Sequence, residues 1–248
     1  MKKMIKAFAI ALLLPVTAFA AGGGATYPHD GMSADHGNKS SLQRGARNFV
    51  NYCMGCHGAS YMRYNRLAAD LGIPEDLAVD NLIFRVNEKG EREKVGSLMR
   101  TSMTPDFGKQ VFGVTPPDLS LIARSRGVDW LYNYLRGFHQ DESRPLGFDN
   151  SVFKGVGMPH VLWELEGVKK AVYDEAGTHV VGFETVTEGT LSKMEYDSFV
   201  YDLVNFLDYL GEPYKADRQR VGVYILIFLF LFGIVAYALK AEYWRDVK

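Results

Sequence analysis

The sequence predicts a mostly α domain with long ordered loops, carried on one C-terminal transmembrane helix. Three observations predict it. Val221–Leu239 runs for nineteen residues without a charge. Two stretches, 42–53 and 192–210, repeat apolar residues at helical spacing. Between them Pro105, Pro116 and Pro117 interrupt the chain, and residues 70–120 hold no long amphipathic helix.

In chain order, residues 1–21 read MKKMIKAFAIALLLPVTAFAA. Lys2, Lys3 and Lys6 precede a short apolar run, and Ala18-Phe19-Ala20 is a small-x-small cleavage site, so this segment is a signal peptide. The run is too short to span a bilayer and is broken by Pro15. Residues 22–40 are Gly-rich and polar and read as an extended arm. The exported domain is expected over 41–214. Ser40 and Ser41 are placed to cap a helix starting near Leu42. Leu42, Ala46, Phe49, Val50 and Cys53 form its apolar face. Gly45 costs that helix about 1 kcal/mol relative to alanine, which predicts a close crossing by another helix. The partner is expected at the far end of the domain. There Ser192-x-x-Glu195 forms a capping box. Phe199, Leu203, Phe206, Leu207 and Leu210 share a face, and Gly211 with Pro213 ends the helix. Glu88–Val95 reads as a charged turn, and 171–190, with Gly177 and Gly182, as a small hairpin.

The uncharged run 221–239 is about 28 Å long as a helix, close to the hydrocarbon thickness of a bilayer. It carries no polar stripe, as a helix packed in a soluble core would. Tyr237, Tyr243 and Trp244 supply interfacial aromatics. Lys215, Arg218 and Arg220 before the span balance Lys240, Arg245 and Lys248 after it, so flanking charge leaves orientation open. The signal peptide sets it: the domain is expected outside the cytoplasmic membrane, as a periplasmic-type domain, with the tail 240–248 returning inside.

Both cysteines of the chain lie in Asn51-Tyr-Cys-Met-Gly-Cys-His57. A Cys53–Cys56 disulfide would close a tiny loop and restrain little. A structural zinc site needs a second ligand pair, and no further cysteines exist to supply it. A thioredoxin-like pair needs a βαβ setting, whereas these flanks read as helix. C-x-x-C-H is the attachment signature of c-type haem: each thiol adds to one vinyl group, and His57 becomes the proximal ligand of the iron.

The sixth position decides the chemistry. A thioether closes the site and raises the potential; an empty position admits small molecules. Met54 lies inside the attachment loop, Met62 only five residues past His57, and Met194 in the first turn of the last helix. Met32 is a further candidate. Met158 stands between Gly157 and Pro159, in a loop able to approach a macrocycle edge. Met99, Met103 and His160 remain candidates beside it.

Residues 41–67, 115–127 (TPPDLSLIARSRG) and 157–165 (GVGMPHVLWEL), followed by the last helix and the anchor, resemble the cytochrome c1 family. These are haem subunits of ubiquinol–cytochrome c reductase (bc1) complexes. The resemblance runs from about residue 30 to the C-terminus and implies a c-type cytochrome domain with one haem c held covalently by Cys53 and Cys56. It implies His57 and Met158 as axial ligands and Arg126, with Arg124 as neighbouring alternative, at a propionate. Pro116 and Pro117 would line the haem edge. Trp130 stands nearest to a family aromatic, at a shorter spacing. The implied partners are cytochrome b, a Rieske iron–sulfur protein and a soluble cytochrome c, within a dimeric complex embedded in membrane lipid. The chain itself would relay electrons without a catalytic site of its own.

The chain's net charge of −1 hides an asymmetry. Residues 22–214 hold 26 acidic and 19 basic side chains, and 164–214 hold eleven acids against Lys169, Lys170 and Lys193. Such a surface steers basic partners and argues against nucleic acid. Two rival functions share parts of the pattern. An anchored cytochrome c feeding a terminal oxidase would lack the Pro-Pro-Asp-Leu-Ser segment. A haem peroxidase or gas-binding protein would leave the sixth position open.

Overall fold

Residues 27–87 and 89–246 are described by a computed structural model. The predicted signal peptide, 1–21, lies outside them. Helix α1 (Lys39–Tyr52) and the long helix α8 (Lys193–Gly211) cross at the centre of the domain. Leu42, Ala46 and Phe49 of α1 pack with Leu203, Phe206 and Leu207 of α8, all buried. The Phe49 and Phe206 rings lie 5.7 Å apart. Each such fully buried ring removes roughly 2–3 kcal/mol worth of apolar surface from water. Gly45 lies at the crossing. A Cβ built there would stand 2.5 Å from the Phe206 Cβ and nearer still to the Asp202 carbonyl oxygen. The glycine is therefore what lets the backbones meet.

The start of α1 differs from expectation. Asn38 is the N-cap, its side-chain oxygen accepting the Ser41 amide at 3.0 Å. Ser41 is buried, its hydroxyl accepting from Asn205 of α8 at 3.0 Å. The serine sequence looked like a cap, but its oxygen is used between helices. At α8 the Ser192/Glu195 capping box forms in both directions.

Between these helices the chain makes α2 (Tyr64–Leu71), α3 (Glu75–Leu82), α4 (Pro105–Phe112), α5 (Ile122–Arg126) and α6 (Val128–Leu135). A two-stranded ladder pairs β1 (Ala59–Arg63) with β2 (Leu98–Met99). A short helix α7 (Trp163–Glu166) leads into the predicted hairpin, β5 (Gly167–Tyr173) and β6 (Val180–Glu188). The hairpin belongs to a four-stranded sheet of order β4-β3-β5-β6, with β3 (Phe138–Gln140) and β4 (Phe148–Asn150). Its β3–β5 pair is parallel, joined at Gln140 and Lys170. Strands of three residues carry too little alternation to be read from sequence.

Residues 27–38 form a strap. The Tyr27 amide donates to Val180 of β6 at 3.3 Å. Asp30 pairs with Arg136 at 2.8 Å, and the Asp35 amide donates to Asn205 at 2.9 Å. His36 and Lys215 both reach Asp208, at 2.9 and 2.6 Å. Lys215 opens α9 (Lys215–Tyr243), so one carboxylate ties strap, core helix and C-terminal apolar helix together. Helix α9 spans roughly 44 Å, buries none of its most apolar window, and is long and apolar enough to cross a membrane, with a mean hydropathy of 2.6 over that window.

Candidate functional site

Helix α1 delivers the cysteines. The Cys53 amide donates to Phe49 at 2.9 Å, and the Cys53 carbonyl accepts from Cys56 at 3.1 Å and His57 at 2.9 Å. The loop is one tight turn hung on the helix end. Thr101 pins its tip, donating to the Gly55 carbonyl at 3.0 Å. Both thiols are free and line one cavity. Burial, with the neighbouring Cys56, pushes the Cys53 thiol up to about 12, and burial also raises Cys56. Both are neutral thiols at neutral pH.

His57 Nδ1 lies 2.7 Å from the Pro117 carbonyl oxygen. A carbonyl only accepts, so Nδ1 carries the hydrogen and Nε2 keeps its lone pair. Burial lowers the imidazole's pKa, against the opposing pull of the Pro117 bond and Asp118.

The rest of the Pro-Pro-Asp-Leu-Ser segment lies along the chain that leaves this histidine. The Leu119 amide donates to Gly58 at 2.7 Å. Asp118 accepts the Ser60 amide at 2.9 Å and the Ser120 amide at 2.9 Å. The Tyr61 amide donates to the Ser120 hydroxyl at 3.1 Å. Burial pushes the Asp118 carboxyl up, but these bonds outweigh it and hold it below the usual range. Gly108 of α4 lets Pro116 approach; a Cβ there would stand 2.5 Å from the Pro116 Cδ. Both prolines line the cavity.

The cavity measures about 250 Å³. Its walls are Tyr52 of α1, Leu131, Tyr134 and Leu135 of α6, Leu203 and Leu207 of α8, and the loop bearing Phe153, Met158 and Pro159. That loop is built by two side chains of β4. Asp149 accepts the Gly155 amide at 2.7 Å and the Val156 amide at 3.2 Å; Asn150 accepts Val152 at 2.9 Å and Phe153 at 3.1 Å. The Met158 sulfur accepts the Tyr134 hydroxyl at 3.4 Å.

The other methionines among the described residues lie elsewhere. Met54, Met62 and Met99 are buried in the core, and the Met54 sulfur accepts from Tyr64 at 3.5 Å. Met103 packs beside Gly108, the Met32 amide is bonded to Asp129, and Met194 is 77% exposed. None of them lines the cavity. His160 is buried against Phe138, the rings stacked at 5.0 Å, and its Nε2 approaches Glu166 at 3.0 Å. It too lies outside the lining.

The two arginines part company. Arg126 lines the cavity, with its guanidinium over the Trp130 ring at 5.1 Å and the Phe153 ring at 5.7 Å. Among the described residues it forms no ion pair. Arg124, on another face of the short helix α5, pairs with Glu212 at 3.3 Å and packs over Gly211. It does not line the cavity. Trp130 does, despite its shorter spacing.

Sequence reasoning missed Tyr134 and the role of Asp118. Tyr134 lies four residues after Trp130 on α6, hence on the same helix face. That periodicity was the available signal. Asp118 gave none for its long-range bond, because the Ser60 amide it accepts lies 58 residues upstream, while its bonds to Ser120 are a local turn.

The donor set fits a haem: two thiols one turn apart, an imidazole whose Nε2 keeps its lone pair, a thioether in the same apolar cavity, and at its exposed rim a cation that forms no ion pair among the described residues. Fold and site together are of the c-type cytochrome class. The chain belongs to the cytochrome c1 family, whose sequence model matches residues 27–247. It is 47% identical over 252 residues to the cytochrome c1 of Allochromatium vinosum, each chain covered in full. It is 45% identical over 246 residues to a Nitrosomonas europaea protein named ammonia monooxygenase gamma subunit, with 99% of each covered. The cytochrome c1 of Rhodospirillum rubrum is 26% identical over 242 residues, covering 85% of this chain and 83% of that one.

Proposed function

We propose that this chain is the membrane-anchored electron carrier of a ubiquinol–cytochrome c reductase complex. It takes electrons from a Rieske iron–sulfur protein and passes them to a soluble cytochrome c, with α9 packed beside cytochrome b. The observation that carries this reading is an imidazole and a thioether lining one apolar cavity at a C-x-x-C-H loop, in a chain matched end to end by a cytochrome c1.

The haem c, bonded through Cys53 and Cys56, supplies a one-electron ferric/ferrous couple. The chain's residues set its conditions. His57 offers Nε2, and the Pro117 carbonyl fixes that tautomer. Met158 offers sulfur from the opposite segment of the chain. Arg126 balances a propionate charge at the exposed rim. The leucines of α6 and α8 exclude water, which favours the less charged ferrous form. The acidic surface attracts a basic soluble acceptor and makes the encounter salt-dependent. The haem domain faces the periplasm and the short tail the cytoplasm.

Similarity to the Nitrosomonas europaea protein favours a second reading, in which the same domain serves an ammonia-oxidising complex. Purification in mild detergent separates the two by the subunits that accompany the chain. Haem surviving denaturing electrophoresis, a far-red sulfur-to-iron band and little carbon monoxide binding are expected. Met158→Leu should keep covalent haem, lose the far-red band and drop in potential. A colourless chain, or a variant with unchanged potential, overturns the proposal.

A further inference from the structure

A thioether sulfur has two lone pairs, and a metal takes one. The Tyr134 hydroxyl meets the Met158 sulfur at 3.4 Å, within range for an O–H donor on sulfur. The tyrosine ring is held independently of the methionine. Trp130 stacks on it at 4.7 Å and 10°, and Phe138 meets it edge-on at 5.3 Å. The Tyr134 carbonyl accepts the Asn150 side chain at 2.8 Å. Asn150 opens the loop that carries Met158, so α6 and this loop are joined at the backbone as well as at the sulfur. A donor fixed by its surroundings can orient a flexible side chain; the reverse does not hold.

We propose that Tyr134 is a positioning residue for the sixth ligand. Its O–H occupies one lone pair of the Met158 sulfur and leaves the other for iron. Ligation then has a single handedness at sulfur, and the hydrogen bond draws electron density from the ligand. A poorer sulfur donor stabilises ferric iron less than it stabilises ferrous iron, so the bond raises the potential. This inference rests on Met158 being the distal ligand.

The test is redox titration of the detergent-solubilised, haem-loaded chain. Tyr134→Phe keeps the ring and its stacking partner and removes only the donor. A hydrogen bond of this kind is worth up to about a tenfold change in an equilibrium. The ferric-to-ferrous ratio at fixed ambient potential should rise by up to that factor, a fall of up to about 59 mV. The far-red band should persist, because sulfur still binds. A ring-fluorinated tyrosine placed at position 134 is a stronger donor and should move the potential the other way. Tyr132→Phe removes a hydroxyl from the same helix outside the cavity lining and should leave the potential unchanged. If Tyr134→Phe fails to load haem, the fluorinated chain alone decides. Equal potentials at position 134, or shifts of the same sign, overturn the inference. Failure of the underlying ligand assignment looks different: Met158→Leu would then retain the far-red band.

Discussion

Gly45→Ala is the sharpest test of how the haem domain is held together. In an isolated helix alanine is better than glycine by about 1 kcal/mol. At this crossing the new methyl would stand 2.5 Å from the Phe206 Cβ, with the Asp202 carbonyl closer still. Carbon atoms pack at roughly 3.5–4.0 Å, so the helices must separate by about 1 Å. The backbone of α8 cannot yield alone, because Asp202 is tied to Arg44 of α1 at 2.5 Å and Asn205 to the strap at 2.9 Å. Overpacking of this kind costs about 1–3 kcal/mol and more where backbone is struck, which exceeds the propensity gain. A net loss of up to about 2 kcal/mol is expected, lowering Tm by up to about 8 °C for a chain of this size. The assay is thermal unfolding of the haem-loaded chain in detergent, followed by far-ultraviolet dichroism. Since α1 leads directly into Cys53, the visible spectrum should broaden with it. An alanine variant as stable as the parent would refute the close-crossing account.

Two further outcomes follow from the same contacts. Ser192→Ala removes one half of the α8 capping box and should cost about 1 kcal/mol, read as a small Tm shift with an unchanged visible spectrum. Asp208→Asn should destabilise the chain at neutral pH by about 1.5–3 kcal/mol, because His36 and Lys215 lose their anionic partner. Burial opposes ionisation of Asp208, yet the bonds from His36 and Lys215 outweigh it and depress its pKa. A depressed carboxyl stabilises fully above the unfolded value of about 3.9 and loses that contribution as pH falls through the folded one. The Tm gap between parent and variant should therefore hold from neutral pH down to about 4 and shrink below it; a gap that stays constant into strong acid would sink the assignment.

Legibility in the sequence followed the range of the interaction. Gly45, the Ser192/Glu195 box and the apolar face of α8 were readable because helical period and capping are local rules. Ser40 and Ser41 misled for the opposite reason. A serine next to a helix start looks alike whether its oxygen caps the helix or, as at Ser41, bonds Asn205 across the core. The hairpin 171–190 was legible in its alternation, while its parallel junction with β3 rests on Gln140 and Lys170 alone.

What the sequence by itself determined was the kind of chemistry. Two thiols and an imidazole within five residues, and nineteen uncharged residues near the end, each carry their meaning in consecutive positions. Only the tertiary structure decided which distant groups share the cavity. It brought Met158 and Arg126 to its lining, left Arg124 and His160 outside, and set Tyr134 against the sulfur. The reason is that a cavity is enclosed by side chains from α1, α6, α8 and a loop at once, and their convergence depends on helix crossings and backbone bonds spanning a hundred residues. No local pattern along the chain records which face of a short helix such as α5 will turn inward.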